Sequence, residues 1–142
     1  LRLGATHAVR RVGPRVARDQ IERLARKRVS ARVLGYCRPS SKALRRALEA
    51  AGYARQPGTA AHHIVAGTAK KAAEARAALQ RFGIGTNEAT NGVFLQKSVH
   101  ARIHTSAYYE AINRAVSQAT TRAEAIEVLT AIRQAILSGG FP

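Results

Sequence analysis

The sequence predicts a mainly helical domain with one small β-hairpin, an α+β fold, on three observations. Apolar residues recur at helical spacing in five stretches after Ser40. Serine or threonine caps and glycine stops punctuate those stretches. Strand-like runs are only two, each a few residues long. In chain order, Arg15 to Val33 has an amphipathic pattern through Val16, Ile21, Leu24 and Arg28, flanked by Gly13-Pro14 and Pro39 as hinges. Ser40 or Ser41 then caps a short helix carrying Ala43, Leu44, Ala47, Leu48 and Ala51, closed by Gly52. After the Pro57-Gly58 turn, His63-Ile64-Val65 reads as a strand. Thr68 is the expected cap of a second helix through Ala72, Ala75, Leu79 and Phe82 to Gly83. Val93-Phe94-Leu95 after Asn91-Gly92 is the second strand. A third helix starts near Ser98, with Val99 and Ile103, and breaks before Tyr108. Glu110 to Val116 forms a fourth, and a capping box of Thr121 and Glu124 opens the last, which carries Ile126, Leu129, Ile132 and Ile136 to Gly139-Gly140.

A chain of 142 residues, 46% hydrophobic and 23% charged, fits one globular domain with a short extension. Its apolar runs fall short of a membrane span. The lone Cys37 excludes an internal disulfide and cysteine-built zinc sites, so any metal must be held by histidine or carboxylate. Lys and Arg number 24 against 8 Asp and Glu, a net +16 that draws polyanions, nucleic acid foremost. So few acidic residues nearly exclude paired-carboxylate catalysis. Residues 1–38 hold eleven of the basic residues against Asp19 and Glu22, a net +9, and read as a basic arm or linker, with residues 39–142 as the folded domain. With Leu1 at the start, no methionine and no signal-peptide layout, the expectation is a piece of a longer or processed polypeptide.

Four of the five histidines form two groups, His62-His63 and His100-x3-His104. On one helix, His100 and His104 would lie a turn apart, with Cβ atoms roughly 6 Å from each other, and can converge on one ion. Adjacent residues of a strand point to opposite sides, so His62 and His63 suit two different tasks: one on a metal, the other beside it. Either group alone is more often a surface or core-edge feature than a site. Their combination with Asn91-Gly92, in the order His-His, Asn, His, His, is more specific.

The segments Ala61-His62-His63-Ile64-Val65, Thr86-Asn87-Glu88-Ala89-Thr90-Asn91-Gly92-Val93-Phe94-Leu95 and His100-Ala101-Arg102-Ile103-His104-Thr105, with Tyr108, resemble the AHH family of bacterial toxin nucleases, within the HNH/endonuclease VII superfamily. The resemblance covers about residues 40–120. It implies a ββα-metal core, with the Lys70 to Phe82 helix as an insertion between the strands. It implies His62, His100 and His104 as metal ligands, His63 as general base and Asn91 as the residue orienting that base. Ala66 and Gln96 stand where proline often follows the two strands, a change of loop stiffness rather than chemistry.

Three neutral imidazoles and an open position would hold a divalent ion, with zinc, magnesium, manganese and nickel all compatible, able to bind a scissile phosphate. Arg102, Lys97 and Arg55 are the candidates to clamp flanking phosphates, although for each a solvated surface charge is the commoner use. For Tyr108 and Tyr109, packing in the core is expected over base stacking. The resulting expectation is a metal-dependent, largely nonspecific DNA endonuclease that leaves 5′-phosphate ends. By resemblance it is the C-terminal toxin domain of a bacterial polymorphic toxin, secreted and delivered to the cytoplasm of a target bacterium, with a small acidic immunity protein as partner. The rivals are the same site acting on RNA, or a non-catalytic basic nucleic-acid-binding module with a structural zinc.

Overall fold

A computed structural model describes residues 38–142; the amphipathic stretch over 15–33, His7 and Cys37 lie outside the described residues. Helix α1 (Ser41–Ala50) begins where expected, with the Ser40 hydroxyl accepting the Ala43 N–H. Leu44 and Leu48, one turn apart, are its fully buried face. Strand β1 (Thr59–His63) pairs antiparallel with β2 (Gly92–Gln96), His62 opposite Val93 and His63 opposite Gly92. Between the strands lie a 3₁₀ turn (Lys70–Ala72), helix α2 (Ala73–Arg81) and a second 3₁₀ turn (Ala89–Asn91). The one-turn α3 (Lys97–His100), then α4 (Ser106–Ser117) and α5 (Arg122–Leu137), complete the chain. The α+β class, with a two-stranded sheet amid helices, is as expected. Among the described residues, no helix is long and apolar enough to cross a membrane.

The sheet divides the interior. Val93 and Leu95 join Ile64, Val65, Tyr108, Ile112, Leu129, Ile132 and Ile136 in the main core. Ala61 packs with Leu44 and Leu48 of α1, and Phe94 borders that smaller cluster. Residues paired across strands share a face, so His62 belongs to the α4 side of the sheet and His63 to the α1 side. Gly92 is what lets α1 sit so close: a Cβ there would lie 2.6 Å from Leu44 Cδ1. Its φ of −129° is ordinary strand, so Asn91-Gly92 marks a close approach and not the tight turn that the dipeptide suggests.

Four boundaries differ from the sequence reading, each for a local reason. The first strand ends at His63 because Asn91 takes over the pairing: its backbone carbonyl accepts the Ile64 N–H, and its side chain brackets the Val65 peptide. Thr68 caps nothing; the free Ala75 N–H of α2 is met by Asn113 Oδ1 from α4. The third helix stops at His100, and α4 begins at Ser106 rather than Glu110. Both follow from Thr105, whose hydroxyl caps α4 by accepting the Tyr108 N–H. A cap residue must be extended, and Thr105 is (φ −90°, ψ 165°), so the chain leaves the helix before reaching it. In α5 the Thr121 cap forms as expected, but the Glu124 carboxylate reaches Thr120 rather than Thr121.

Candidate active site

His62, His100 and His104 meet at one end of the sheet, each offering a ring nitrogen within 4.8 Å of the others. Ring centroids lie 5.0 Å apart for His62 and His100, 5.1 Å for His62 and His104, and 5.6 Å for His100 and His104. His100 ends α3, while His104 lies beyond that helix. The expected shared helical face is therefore replaced by a bend that still brings the two rings together. The cluster and His63 line a cleft of about 470 Å³, walled opposite by Pro39 and the Ala66–Ala69 loop.

Hydrogen bonding sets which nitrogen of His62 is available. The Tyr108 hydroxyl donates its one proton to the Ile64 carbonyl at 2.7 Å, so towards His62 Nε2, at 2.9 Å, it can only accept. Nε2 therefore carries the ring proton and Nδ1 keeps a lone pair. That Nδ1 is buried and has no hydrogen-bond partner, in a side chain 1% exposed. An orphaned buried acceptor beside two more imidazoles fits a cation and little else. His104 is steadied similarly: Tyr109 stacks on it at 22°, with its hydroxyl 3.0 Å from Nδ1, leaving Nε2 for the cluster.

Residues 43–136 match the AHH family, described as a nuclease family of the HNH/ENDO VII superfamily with conserved AHH. The chain belongs to this family. Ala61-His62-His63 supplies the motif of the name, and the matched span runs from α1 into the last turn of α5. A nuclease takes nucleic acid as substrate, in keeping with the net +16. No curated protein and no solved structure matches the chain.

Within the AHH nuclease, His63 stands apart from the cluster on the α1 side. Its Nε2 lies 2.9 Å from Asn87 Oδ1. Asn91, the expected partner of His63, does not reach it. Its amide is spent on backbone, accepting from Val65 N–H and donating to the Val65 and Thr86 carbonyls, with the residue fully buried. Asn91 thus fixes the chain that follows the His-His pair, and Asn87 fixes the ring. Lys97, Arg102 and Arg55 do not line the cleft; all three are exposed. Arg102 Nε bonds the Ser98 carbonyl, and the Arg55 guanidinium the Thr59 carbonyl. Tyr108 is core, as expected, but its hydroxyl belongs to the site. Nothing in the sequence separates Asn87 from its neighbours, and Tyr109 is readable only as an aromatic five residues after His104.

Electrostatics favour neutral rings. Burial, followed by the proximity of His104, His100 and His63, pushes the His62 pKa down to about 3. Burial and His100 likewise lower that of His104. For His63, burial lowers the value, the Asn87 hydrogen bond opposes it, and His100 adds to the lowering. Imidazoles that stay neutral are ready to ligate or accept a proton. His62 also gives the metal-free protein a pH dependence. The unfolded chain binds a proton at about 6.5 and the folded one only near 3, so in that window unfolding takes up the extra proton. Stability of the metal-free protein is expected to be flat above about pH 7 and to fall below 6.5, by up to about 1.4 kcal/mol per pH unit for this group. Urea unfolding at pH 7.5, 6.5, 5.5 and 4.5 measures it; equal stability at 7.5 and 5.5 contradicts the assignment.

Proposed function

We propose that the protein is a metal-dependent DNA endonuclease in which His62, His100 and His104 hold a divalent ion and His63 acts as general base. The observation that carries this reading is the orphaned His62 Nδ1, locked by Tyr108 into the ligand tautomer between two further imidazoles, with His63 beside it in the same cleft. When bound, the ion supplies Lewis-acid stabilisation of the charge that builds on the phosphate and its departing oxygen. His63 takes the proton of the attacking water. The water oxygen bonds to phosphorus, the bond from phosphorus to the 3′ oxygen breaks, that oxygen takes a proton from solvent water, and the products carry a 5′ phosphate and a 3′ hydroxyl. Three ligands leave a coordination position for substrate, whereas structural zinc sites close with four. Lys97 on α3, Arg102 just after it and Arg55 before β1 are exposed, and in this reading they add phosphate contacts outside the cleft. The basic residues of 1–38, a net +9, add affinity without sequence preference. The biological setting in this reading is a toxin domain delivered into a target bacterial cell and neutralised by an acidic immunity protein.

Supercoiled plasmid is expected to be nicked and linearised with little site preference, to be spared after chelation, and to be cut again on adding back a divalent metal. Cleavage that survives chelation, or a chelated protein that regains no activity with zinc, manganese, magnesium or nickel, refutes metal dependence. A parallel assay on single-stranded RNA decides the substrate: equal or faster cleavage of RNA overturns the DNA assignment. Binding to an uncleaved DNA duplex with the metal removed is expected to weaken steeply between about 50 and 200 mM salt, since displaced counterions drive it. Deleting residues 1–38 is expected to flatten that slope and leave metal affinity unchanged.

A further inference from the structure

Asn87 lies in the loop between α2 and the second 3₁₀ turn, outside the metal cluster, yet its side chain makes three hydrogen bonds. Nδ2 donates to the Arg38 carbonyl at 2.8 Å, and Oδ1 accepts from the Ser40 N–H at 2.9 Å and from His63 Nε2 at 2.9 Å. The two backbone partners have fixed polarity: one is a donor, the other an acceptor. Turning the amide over would set NH₂ against N–H and oxygen against oxygen, so its orientation is determined. Towards His63 the amide can therefore only accept, and His63 must carry its ring proton on Nε2. The lone pair is then on Nδ1.

We propose that Asn87 is the positioning residue of the His63 base: it fixes the ring's plane and its Nε2–H tautomer, and so makes Nδ1 the proton acceptor. This rests on the reading of His63 as the base. The same amide ties that base to residues 38–40, where the basic amino-terminal segment joins α1, beside Pro39 at the cleft wall. When Nδ1 takes the water's proton, Nε2–H continues to donate to Oδ1, and the amide dipole stabilises the imidazolium. Without the amide, either ring nitrogen can hold the proton, and only one tautomer presents its lone pair to the water. The His63 backbone and the three ligands are untouched by that loss.

The test uses the full chain loaded with metal, with histidine rings labelled with ¹⁵N. Long-range ¹H–¹⁵N spectra are expected to show His63 as the Nε2–H tautomer in the wild type. Asn87→Ala is expected to show mixed tautomers and to lower single-turnover cleavage at saturating DNA by about 10–100-fold, the usual loss for a partner that orients an active group. Its half-saturating DNA concentration and metal affinity stay within about threefold of wild type. Asn87→Asp keeps an oxygen acceptor at Nε2 but sets its second oxygen against the Arg38 carbonyl, so the Nε2–H tautomer persists and only part of the rate returns. The wild-type spectrum needs no variant to fold, and an Nδ1–H tautomer there overturns the proposal. So does an Asn87→Ala protein that keeps both tautomer and rate while His63→Ala is inactive. If His63→Ala itself cuts like wild type, the base reading falls first and takes this assignment with it.

Discussion

His63→Ala is expected to bind metal and DNA within about threefold of wild type and to lose roughly 10²–10⁴-fold in single-turnover cleavage, the contribution of a positioned acid–base group. His62→Ala and His100→Ala, in contrast, lose metal affinity and cleavage together. The separation follows from the register of the two strands: His62 opposite Val93 faces α4 and the cluster, while His63 opposite Gly92 faces α1 and Asn87. Tyr108→Phe is the intermediate case. It removes the acceptor that holds the proton on His62 Nε2, and weaker metal binding with an intact fold is the expected result. Calorimetric metal titration and plasmid cleavage on the same preparations separate the outcomes. Loss of metal by His63→Ala with retention by His62→Ala reverses the two roles, and undiminished cleavage by all of these variants refutes the site.

The histidine cluster was legible in part: spacing and residue type bring His100 and His104 together, while the choice of His62 over His63 came from the family resemblance. Ala61-His62-His63 and His100-x3-His104 carry the cluster, and an error about the helix between His100 and His104 left it intact, since a bend and a helical turn both return the chain to the same neighbourhood. The caps Ser40 and Thr121 were legible for the same reason: each bonds a backbone N–H three residues on. What the sequence did not reveal are bonds between side chains and distant backbone. Asn113 replaces Thr68 as the cap of α2 from 38 residues away, and Asn87 reaches back 47 residues to Ser40. Asn87 and Asn91 are alike in composition and differ only in which backbone groups the fold places beside them. Asn91 meets Val65 and Thr86, so it sets the chain after the strand; Asn87 meets Arg38, Ser40 and His63. Local pattern has no access to that difference. Thr105 is the opposite case, a readable cap whose consequence, ending α3 early, required weighing one helix's start against the previous helix's continuation.

Arg133→Met is expected to be the most destabilising single change outside the two apolar clusters, at roughly 3–5 kcal/mol. Arg133 is a helix residue only 7% exposed, on the same face of α5 as Leu129 and Ile136. Among the described residues it has no carboxylate partner. Its charge is met by carbonyl dipoles instead: Nε donates to Gly92 O at 2.8 Å, and one terminal nitrogen to the Ala89 and Thr90 carbonyls. The other terminal nitrogen bonds the Tyr53 hydroxyl, and the guanidinium carbon lies 4.7 Å from the centre of that ring. The guanidinium thereby clamps the turn that ends in Asn91 and the first residue of β2, the stretch that brackets Val65 behind the His-His pair. Methionine matches the length and apolar stem but strands the buried Gly92 carbonyl, at about 1–3 kcal/mol, and the half-buried Ala89 and Thr90 carbonyls at somewhat less each. For a domain of this size the loss corresponds to a fall in Tm of roughly 10–20 °C. Lysine keeps the charge but not the planar fork, and one ammonium cannot span carbonyls on both sides of Asn91, so Arg133→Lys should recover less than half. Thermal and urea unfolding of the metal-free proteins gives the numbers. A Met variant within about 1 kcal/mol of wild type would show that water replaces the guanidinium at little cost, and that the clamp on the Asn91 turn is not what holds it.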